Sequence, residues 1–173
     1  MKQRVKDDLK QYLLRERQID EILPSCPDVE ELWKKIATSY LPDGIREFQA
    51  YPVSSLGWMM YIGMAVASYW DSDWEIYSKI EDLYVYMRNK RGYDYLDEYI
   101  REEVLTLSET ESQKLEKLIG ECASRTNNLL CHAHIEPGTQ QAFQAYTDSL
   151  EQLYLFGCAI QLHKMGYKMV KCE

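Results

Sequence analysis

Residues 56–70 read LGWMMYIGMAVASYW, and the charge-free segment that contains them extends back to Phe48. The apolar run is shorter than the about 20 residues that a membrane-spanning helix needs, so it is typical of a helix in the core of a soluble protein. A helix that is apolar on every side has to be covered by other helices on every side. We therefore predict a central helix that begins at Ser54 or Ser55 and ends near Trp70, and no membrane segment.

Gly63 and Ala67 lie four residues apart within this run. Small residues at that spacing let another helix backbone approach closely. The spacing predicts a tight packing point, beneath bulky aromatic side chains such as Trp58 or Tyr69.

Two further helices are predicted on the N-terminal side of the central one. Apolar residues recur at helical spacing among the charges of residues 3–22, which indicates an amphipathic helix. Asp28 followed by Glu31 is typical of a helix start. We expect this second helix to end near Tyr40, because the residue before Pro42 is disfavoured in helical geometry.

Capping boxes predict two later helices. The sequence SDWE, which begins at Ser72, favours a helix that runs to Lys90, and residues 94–105 follow as a shorter helix. The sequence SETE, which begins at Ser108, favours a long helix to about His134.

The last long helix is predicted to begin at Thr139, after the turn residues Pro137 and Gly138. Residues 108–166 would then form an antiparallel helical hairpin. The apolar stripe predicted for the last helix consists of Phe143, Tyr146, Leu150, Leu153, Gly157 and Ile160.

The predicted fold class is all-α. A chain of 173 residues suits one domain, and no segment shows the alternation typical of a strand. We predict a single-domain helical bundle over residues 1–173, with six to eight helices and a long C-terminal helical hairpin.

Charge and cysteine content narrow the function classes. The formal net charge is −8, which opposes binding to DNA or to anionic membranes because both present negative charge. The five cysteines are odd in number and lack CxxC spacing, so we expect free thiols and a reducing compartment. The charged N-terminus lacks the apolar run of a signal peptide, and we predict a cytoplasmic protein.

Aromatic residues are concentrated in the middle of the chain. Nine of the 14 tyrosines and three of the four tryptophans lie between Tyr51 and Tyr99. The predicted helix over residues 73–90 is apolar on two sides, so one side should face the core and the other a core neighbour, a second subunit or a small molecule. The residues predicted for the ligand or interface site are Trp58, Tyr61, Trp70, Trp74, Tyr77 and Tyr84.

The function predicted from these features is a non-catalytic helical module that binds a protein or a small ligand and self-associates, as a dimer, through an aromatic-rich surface. We expect no cofactor. The identity of the ligand or partner is left open.

A metal site is not expected. Cys131, His132 and His134 crowd together, but the hairpin geometry places His163 about 30 Å from His132 along the bundle. Cys131 and His134 alone supply two ligands, whereas a structural zinc ion takes four.

An alternative function follows from Arg125 and His132, which are separated by six residues and project to the same side of a helix. This spacing resembles the R-x4–6-H element of HEPN domains, all-α proteins of which many are metal-independent ribonucleases that act as dimers. The resemblance implies that His132 would serve as general acid or base and that Arg125 would stabilise the phosphorane. RNA is a predicted partner under this alternative only. The competing interpretation is that Arg125 pairs with Glu121 one turn earlier.

A third function class is an acidic inhibitor of a basic toxin. Asp94, Glu98 and Glu102 form an acidic stripe at helical spacing, which is typical of a solvated face, here partly balanced by Arg101, and which could also receive a basic partner. A toxin inhibitor would have the same small size, negative charge and helical content as the interaction module. Co-purification with a cationic protein would distinguish the two functions.

Overall fold

A computed structural model describes residues 1–167, and every regular element in that range is helical, as the sequence predicts. The helices are α1 (Lys2–Arg15), α2 (Pro27–Glu30), α3 (Trp33–Ala50), α4 (Pro52–Tyr77), α5 (Leu83–Arg91), α6 (Leu96–Tyr99), α7 (Glu109–Cys131) and α8 (Gln140–Lys164). A 3-10 turn, Tyr93–Tyr95, precedes α6, and a π-helical turn, Ile100–Val104, follows it. Cys172 lies outside the described residues.

Helix α4 is the centre of the bundle. From Ser55 to Tyr69 nearly every side chain of α4 is buried, and the helix packs against α8, α7 and α3. This confirms the predicted central helix, although α4 begins earlier, at Pro52, where a proline suits the first helical turn because it has no N–H to leave unpaired. Within the described part of the chain, no helix is both long and apolar enough to cross a bilayer.

Two glycines bring the backbones of α4 and α8 into direct contact. A Cβ atom on Gly63 would lie 2.2 Å from the carbonyl oxygen of Tyr154 in α8. A Cβ atom on Gly157 would lie 2.2 Å from the carbonyl oxygen of Met60 in α4. The predicted close approach at Gly63 is confirmed, but the covering element is the α8 backbone and not an aromatic side chain.

Helix α3 does not end before its proline. It continues through Pro42 to Ala50, so the predicted end near Tyr40 is wrong. Contacts on both sides of the proline outweigh the lost backbone hydrogen bond: Tyr40 is buried and donates to the carbonyl of Ser55 at 2.5 Å, and Asp43 is buried one residue after Pro42.

The predicted helix over residues 73–90 is also wrong. Helix α4 continues past Trp70 to Tyr77. Non-helical backbone angles at Asp73, where φ is −159° and ψ is 73°, separate its last turn from the rest of the helix. Helix α5 begins only after Asp82, whose carboxylate accepts from the amide of Val85 at 3.0 Å. Aspartates favour such caps because their oxygens satisfy free amides at a helix start. A continuous helix over residues 73–90 would place Ile76 on its core-facing side, but Ile76 is 60% exposed.

The N-terminal helix ends earlier than predicted. Helix α1 stops at Arg15, and Arg17 adopts a left-handed φ of 56°, which ends helical geometry. Asp28 lies within the short helix α2 and does not open α3, because its carboxylate instead accepts from the indole nitrogen of Trp70 at 3.0 Å.

The C-terminal hairpin is confirmed. The Ser108 hydroxyl accepts from the Glu111 amide and the Glu111 carboxylate accepts from the Ser108 amide, both at 3.2 Å, which completes the predicted capping box. Thr139 accepts from the amide of Ala142 at 3.1 Å and caps α8 as predicted. One member of the predicted stripe differs, because Phe143 is 45% exposed.

We predict that Gly63→Ala and Gly157→Ala each lower the free energy of unfolding by about 2–3 kcal/mol, because the added methyl group meets a backbone carbonyl that cannot rotate away. Urea unfolding followed by circular dichroism measures the effect. Gly120→Ala is the matched control: a Cβ there meets nothing within 4 Å, so this change should stabilise the protein by about 0.5–1 kcal/mol. Equal free energies of unfolding for all three variants would contradict the close contact between the backbones of α4 and α8.

Candidate functional site

The six predicted aromatic residues separate into two groups. Trp58, Tyr61 and Tyr84 belong to one continuous row of rings, which two further tyrosines, Tyr40 and Tyr93, complete. Neighbouring ring centroids in this row lie 5.2–6.4 Å apart, in the order Tyr84, Tyr40, Tyr93, Trp58 and Tyr61.

The row is anchored through the polar tips of its rings. The Trp58 indole donates to the carbonyl of Tyr93 at 2.8 Å, and the hydroxyls of Tyr40 and Tyr93 lie 3.1 Å apart. The Tyr61 hydroxyl accepts from Arg101 at 3.1 Å. Burial raises the pKa of Tyr61 to about 12, although Arg101 opposes the shift. Tyr84 is buried within the chain, whereas the half-buried Trp58 and the buried Tyr61 line a small groove of about 170 Å³ together with Asp97 and Glu116.

The row ends on a buried carboxylate. Asp43 accepts from the Tyr84 hydroxyl at 2.5 Å, from Arg88 at 3.0 Å and from Arg46 at 2.8 Å. Burial by itself would raise the pKa of the Asp43 carboxyl, but the hydrogen bonds from Tyr84 and Arg88 outweigh it and hold the pKa below its usual value. Asp43 therefore links α3 to α5, because it lies in α3 and its ion-pair partner Arg88 lies in α5.

Trp70, Trp74 and Tyr77 lie at the other end of α4, and all three are half-buried. Trp70 is held by its bond to Asp28, and the Tyr77 ring stacks on Tyr69 with centroids 4.0 Å apart. These side chains therefore pack largely within the chain. Among residues 1–167, the groove that Trp58 and Tyr61 line contains none of these three side chains.

Arg125 and His132 occupy different settings. Arg125 makes a two-pronged ion pair with Asp8 of α1, at 2.9 and 3.1 Å, and bonds to Glu121 at 3.3 Å. The predicted pairing with Glu121 is thus present. His132 is exposed and caps the C-terminal end of α7. With two carboxylates on its guanidinium, Arg125 serves here to join α7 to α1.

An apolar groove lies where the hairpin turn meets the end of α3. Its volume is about 320 Å³, near the lower limit of pockets that hold ligands. The lining residues are Phe48, Leu130, Cys131, Ile135, Pro137, Ala142, Ala145 and Tyr146.

The polar tip of Tyr146 points away from the groove. Its hydroxyl bonds to Ser55 in α4, whose own hydroxyl donates to the carbonyl of Gly44 at 2.8 Å. Phe48 packs against the Tyr146 ring with centroids 4.8 Å apart. The groove wall is therefore formed by two aromatic rings on rigid helices. We name the eight residues that line the groove, together with the exposed Phe143 of α8, the hairpin-end surface.

The residues that line the groove carry no charge, although Arg4 and Asp148 line an adjoining groove together with Ile135 and Ala145. Phe48–Trp70 contains no Asp, Glu, Lys or Arg, and between Arg125 and Asp148 the only such residue is Glu136. Large apolar side chains are nevertheless exposed on these segments and beside them: Ile45, Tyr51, Val53 and Phe143. The low charge of residues 126–147 is a sequence signal that could have located this surface. The clustering of aromatic residues between Tyr51 and Tyr99 instead led to a different predicted site.

A larger groove, of about 370 Å³, lies between α1, α7 and α8. Charges of both signs line it, including Glu16, Glu111, Lys114, Lys117 and Lys164. Mixed, exposed charges are well solvated and give little selectivity for one ligand. The apolar groove is therefore the better candidate site.

No metal-binding cluster of three His, Cys, Asp or Glu side chains occurs among residues 1–167. Comparison of the chain with protein-family models, with curated proteins and with solved structures found no match.

The ion pair at Asp43 generates a pH prediction. The carboxyl has a lower pKa in the folded chain than in the unfolded one, so its contribution to stability is present above about pH 4 and is lost as the pH falls through the folded value. Asp43→Asn should lower the free energy of unfolding by about 2–3 kcal/mol at pH 7 and flatten its dependence on pH in the acid range. Urea unfolding between about pH 2 and pH 7 tests this, with the exposed Asp94→Asn as control. Parallel pH profiles for Asp43→Asn and the native protein would show that this carboxylate is not coupled to folding.

Proposed function

We propose that this protein is a non-catalytic helical interaction module that self-associates. The observation that carries the proposal is the hairpin-end surface, where Phe143 is 45% exposed on α8 and the groove is lined by no charged side chain. Protein interfaces are depleted of charged residues at their centre and enriched in aromatic ones. Phe48 and Tyr146 form one wall of a groove that supplies a concave centre, and Phe143 is exposed on the same helix as Tyr146.

The net charge opposes self-association except through an uncharged surface. Two chains that each carry −8 repel one another wherever their charged faces meet. The hairpin-end surface offers an approach with less repulsion, because none of the residues that line its groove is charged. A strongly basic partner would gain little there and would instead be drawn to acidic clusters such as Glu98, Glu102 and Glu103, which surround Arg91.

Concentration-dependent mass tests the proposal. In sedimentation equilibrium or light scattering from about 1 to 200 µM, we expect the mean mass to rise from 20.4 kDa toward twice that value. Added salt should leave the association unchanged or strengthen it, because salt screens the repulsion between the two acidic chains. A mass that stays at 20.4 kDa up to the highest concentration would contradict self-association.

A further inference from the structure

A cavity of about 290 Å³ lies between the start of α1, the segment that joins α1 to α2, and the middle of α8. Residues 152, 155, 156 and 159 of α8 all line it, and their spacing of three or four places them on one side of that helix. The apolar part of the lining consists mainly of Leu23, Pro24, Leu155, Phe156 and Ala159. The cavity therefore has an apolar wall on a rigid helix.

Gln152 adds a polar group to this wall that no described residue satisfies. The residue is 4% exposed, and its side-chain amide makes no hydrogen bond within residues 1–167. The other buried polar side chains each make at least one, and they are Asp43, Ser55, Arg101, Thr126 and Ser149. In the same range, no side-chain nitrogen or oxygen that is sealed from solvent lacks a partner, so the Gln152 amide must reach the cavity that the residue lines.

An almost buried amide without a hydrogen-bond partner lowers the stability of a protein. The group loses contact with bulk water and gains no bond within the chain in return. A leucine of similar size would pack among the apolar neighbours of Gln152 without that loss. A molecule in the cavity that donates to the amide oxygen and accepts from the amide nitrogen would remove it.

We propose that this cavity binds a small, uncharged molecule that has an apolar body and one carboxamide-type group, which the Gln152 amide holds. A glutamine amide presents an acceptor oxygen beside a donor NH2, and a carboxamide presents the complementary pair. The apolar wall buries the body of the ligand. The volume lies near the lower limit of about 300 Å³ for ligand pockets, which suits a molecule smaller than a typical drug. This site does not depend on self-association.

The charges around the cavity favour a ligand without net charge. Lys2, Lys6, Glu30 and Glu151 line it, so the formal charges cancel. Lys2 and Glu151 already pair with one another at 2.8 Å. Lys6 and Glu30 are exposed, and an ion pair with an exposed, hydrated side chain contributes little to affinity. The buried amide is therefore the group that gives the site its selectivity.

Three small probes that share one ring test the proposal on the full-length chain. Benzamide carries the carboxamide, toluene lacks it, and benzoate replaces it with a charge. We expect benzamide to bind with a Kd of about 1 mM or below, a reasonable affinity for a molecule of this size. Toluene and benzoate should each bind at least about 5-fold more weakly, because neither can form both hydrogen bonds with the Gln152 amide.

The amide itself supplies the readout. In two-dimensional ¹H–¹⁵N spectra of the ¹⁵N-labelled protein, the side-chain NH2 pair of Gln152 gives two signals at one nitrogen frequency, which are assigned by their absence from Gln152→Leu. Benzamide should shift this pair together with backbone amides of α1 and α8 beside the cavity, such as those of Lys6 and Leu155.

Gln152→Leu removes the hydrogen-bonding group and keeps the approximate size of the side chain. This variant should bind benzamide about 5–10-fold more weakly and toluene no more weakly than the native protein does. Its melting temperature should rise by about 2–4 °C, because an unpartnered polar group leaves the interior. Gln161→Leu is the matched control, since Gln161 is a half-buried glutamine of the same helix that does not line the cavity. It should bind benzamide as the native protein does.

Leu155→Trp tests the cavity separately from the amide. Leu155 is half-buried, so the larger ring can occupy the cavity, and this variant should lose both benzamide and toluene binding. Circular dichroism establishes that each variant is folded.

The contrary results are equally specific. The proposal is wrong if benzamide does not bind at up to about 10 mM, if toluene or benzoate binds as tightly as benzamide, or if benzamide shifts signals at the hairpin-end surface and not at Gln152. It is also wrong if Gln152→Leu lowers the melting temperature, because Gln152 would then serve the fold. None of these measurements depends on the mass of the protein in solution, so the proposed self-association is judged independently.

Discussion

The contact between the backbones of α4 and α8 determines the rest of the architecture. Gly63 and Gly157 remove the side chains that would keep the two helices apart, so each glycine lies against a carbonyl of the other helix. Helices in such close contact bury a long row of side chains between them. The apolar residues on the other sides of α4 then need further helices to cover them. The remaining faces of α4 are then covered by α3 and α7. Because α8 is the second arm of the hairpin, the same contact fixes where the hairpin turn meets the end of α3, and therefore where the apolar groove lies.

The unusual number of tyrosines is explained mainly by burial with internal hydrogen bonding. Tyr40, Tyr84 and Tyr146 place their rings in the core and direct their hydroxyls to Ser55 or Asp43. Among the described residues, no buried side-chain nitrogen or oxygen lacks a hydrogen-bond partner. A core built this way specifies one arrangement of helices, because a shifted helix would leave several hydroxyls unpaired at once.

The features that could be predicted from sequence are those that local chemistry decides. The caps at Ser108 and Thr139 depend on residues within three positions, and the burial of α4 depends on a continuous apolar run. The wrong predictions concern helix boundaries that depend on contacts between residues far apart in the sequence. Helix α3 passes through Pro42 because Tyr40 and Asp43 are held by other helices, and Asp82 starts α5 where a longer helix was expected. Phe143 fits the periodicity of a buried stripe, yet no described helix covers it fully, and no pattern along the chain reveals that.

The candidate site was only partly predictable for the same reason. Tyr61 and Tyr84 stand out in composition and are buried, and the hairpin-end surface joins segments that are far apart in sequence. Native-state amide hydrogen exchange tests the central claim about the fold most directly. The account predicts that amides of Met60–Met64 in α4 and of Tyr154–Cys158 in α8 exchange only through global unfolding, with opening free energies equal to that of the whole protein, while α1 and α5 open at lower cost. Exchange of the α4 and α8 amides at a lower free energy than those of α1 would contradict it.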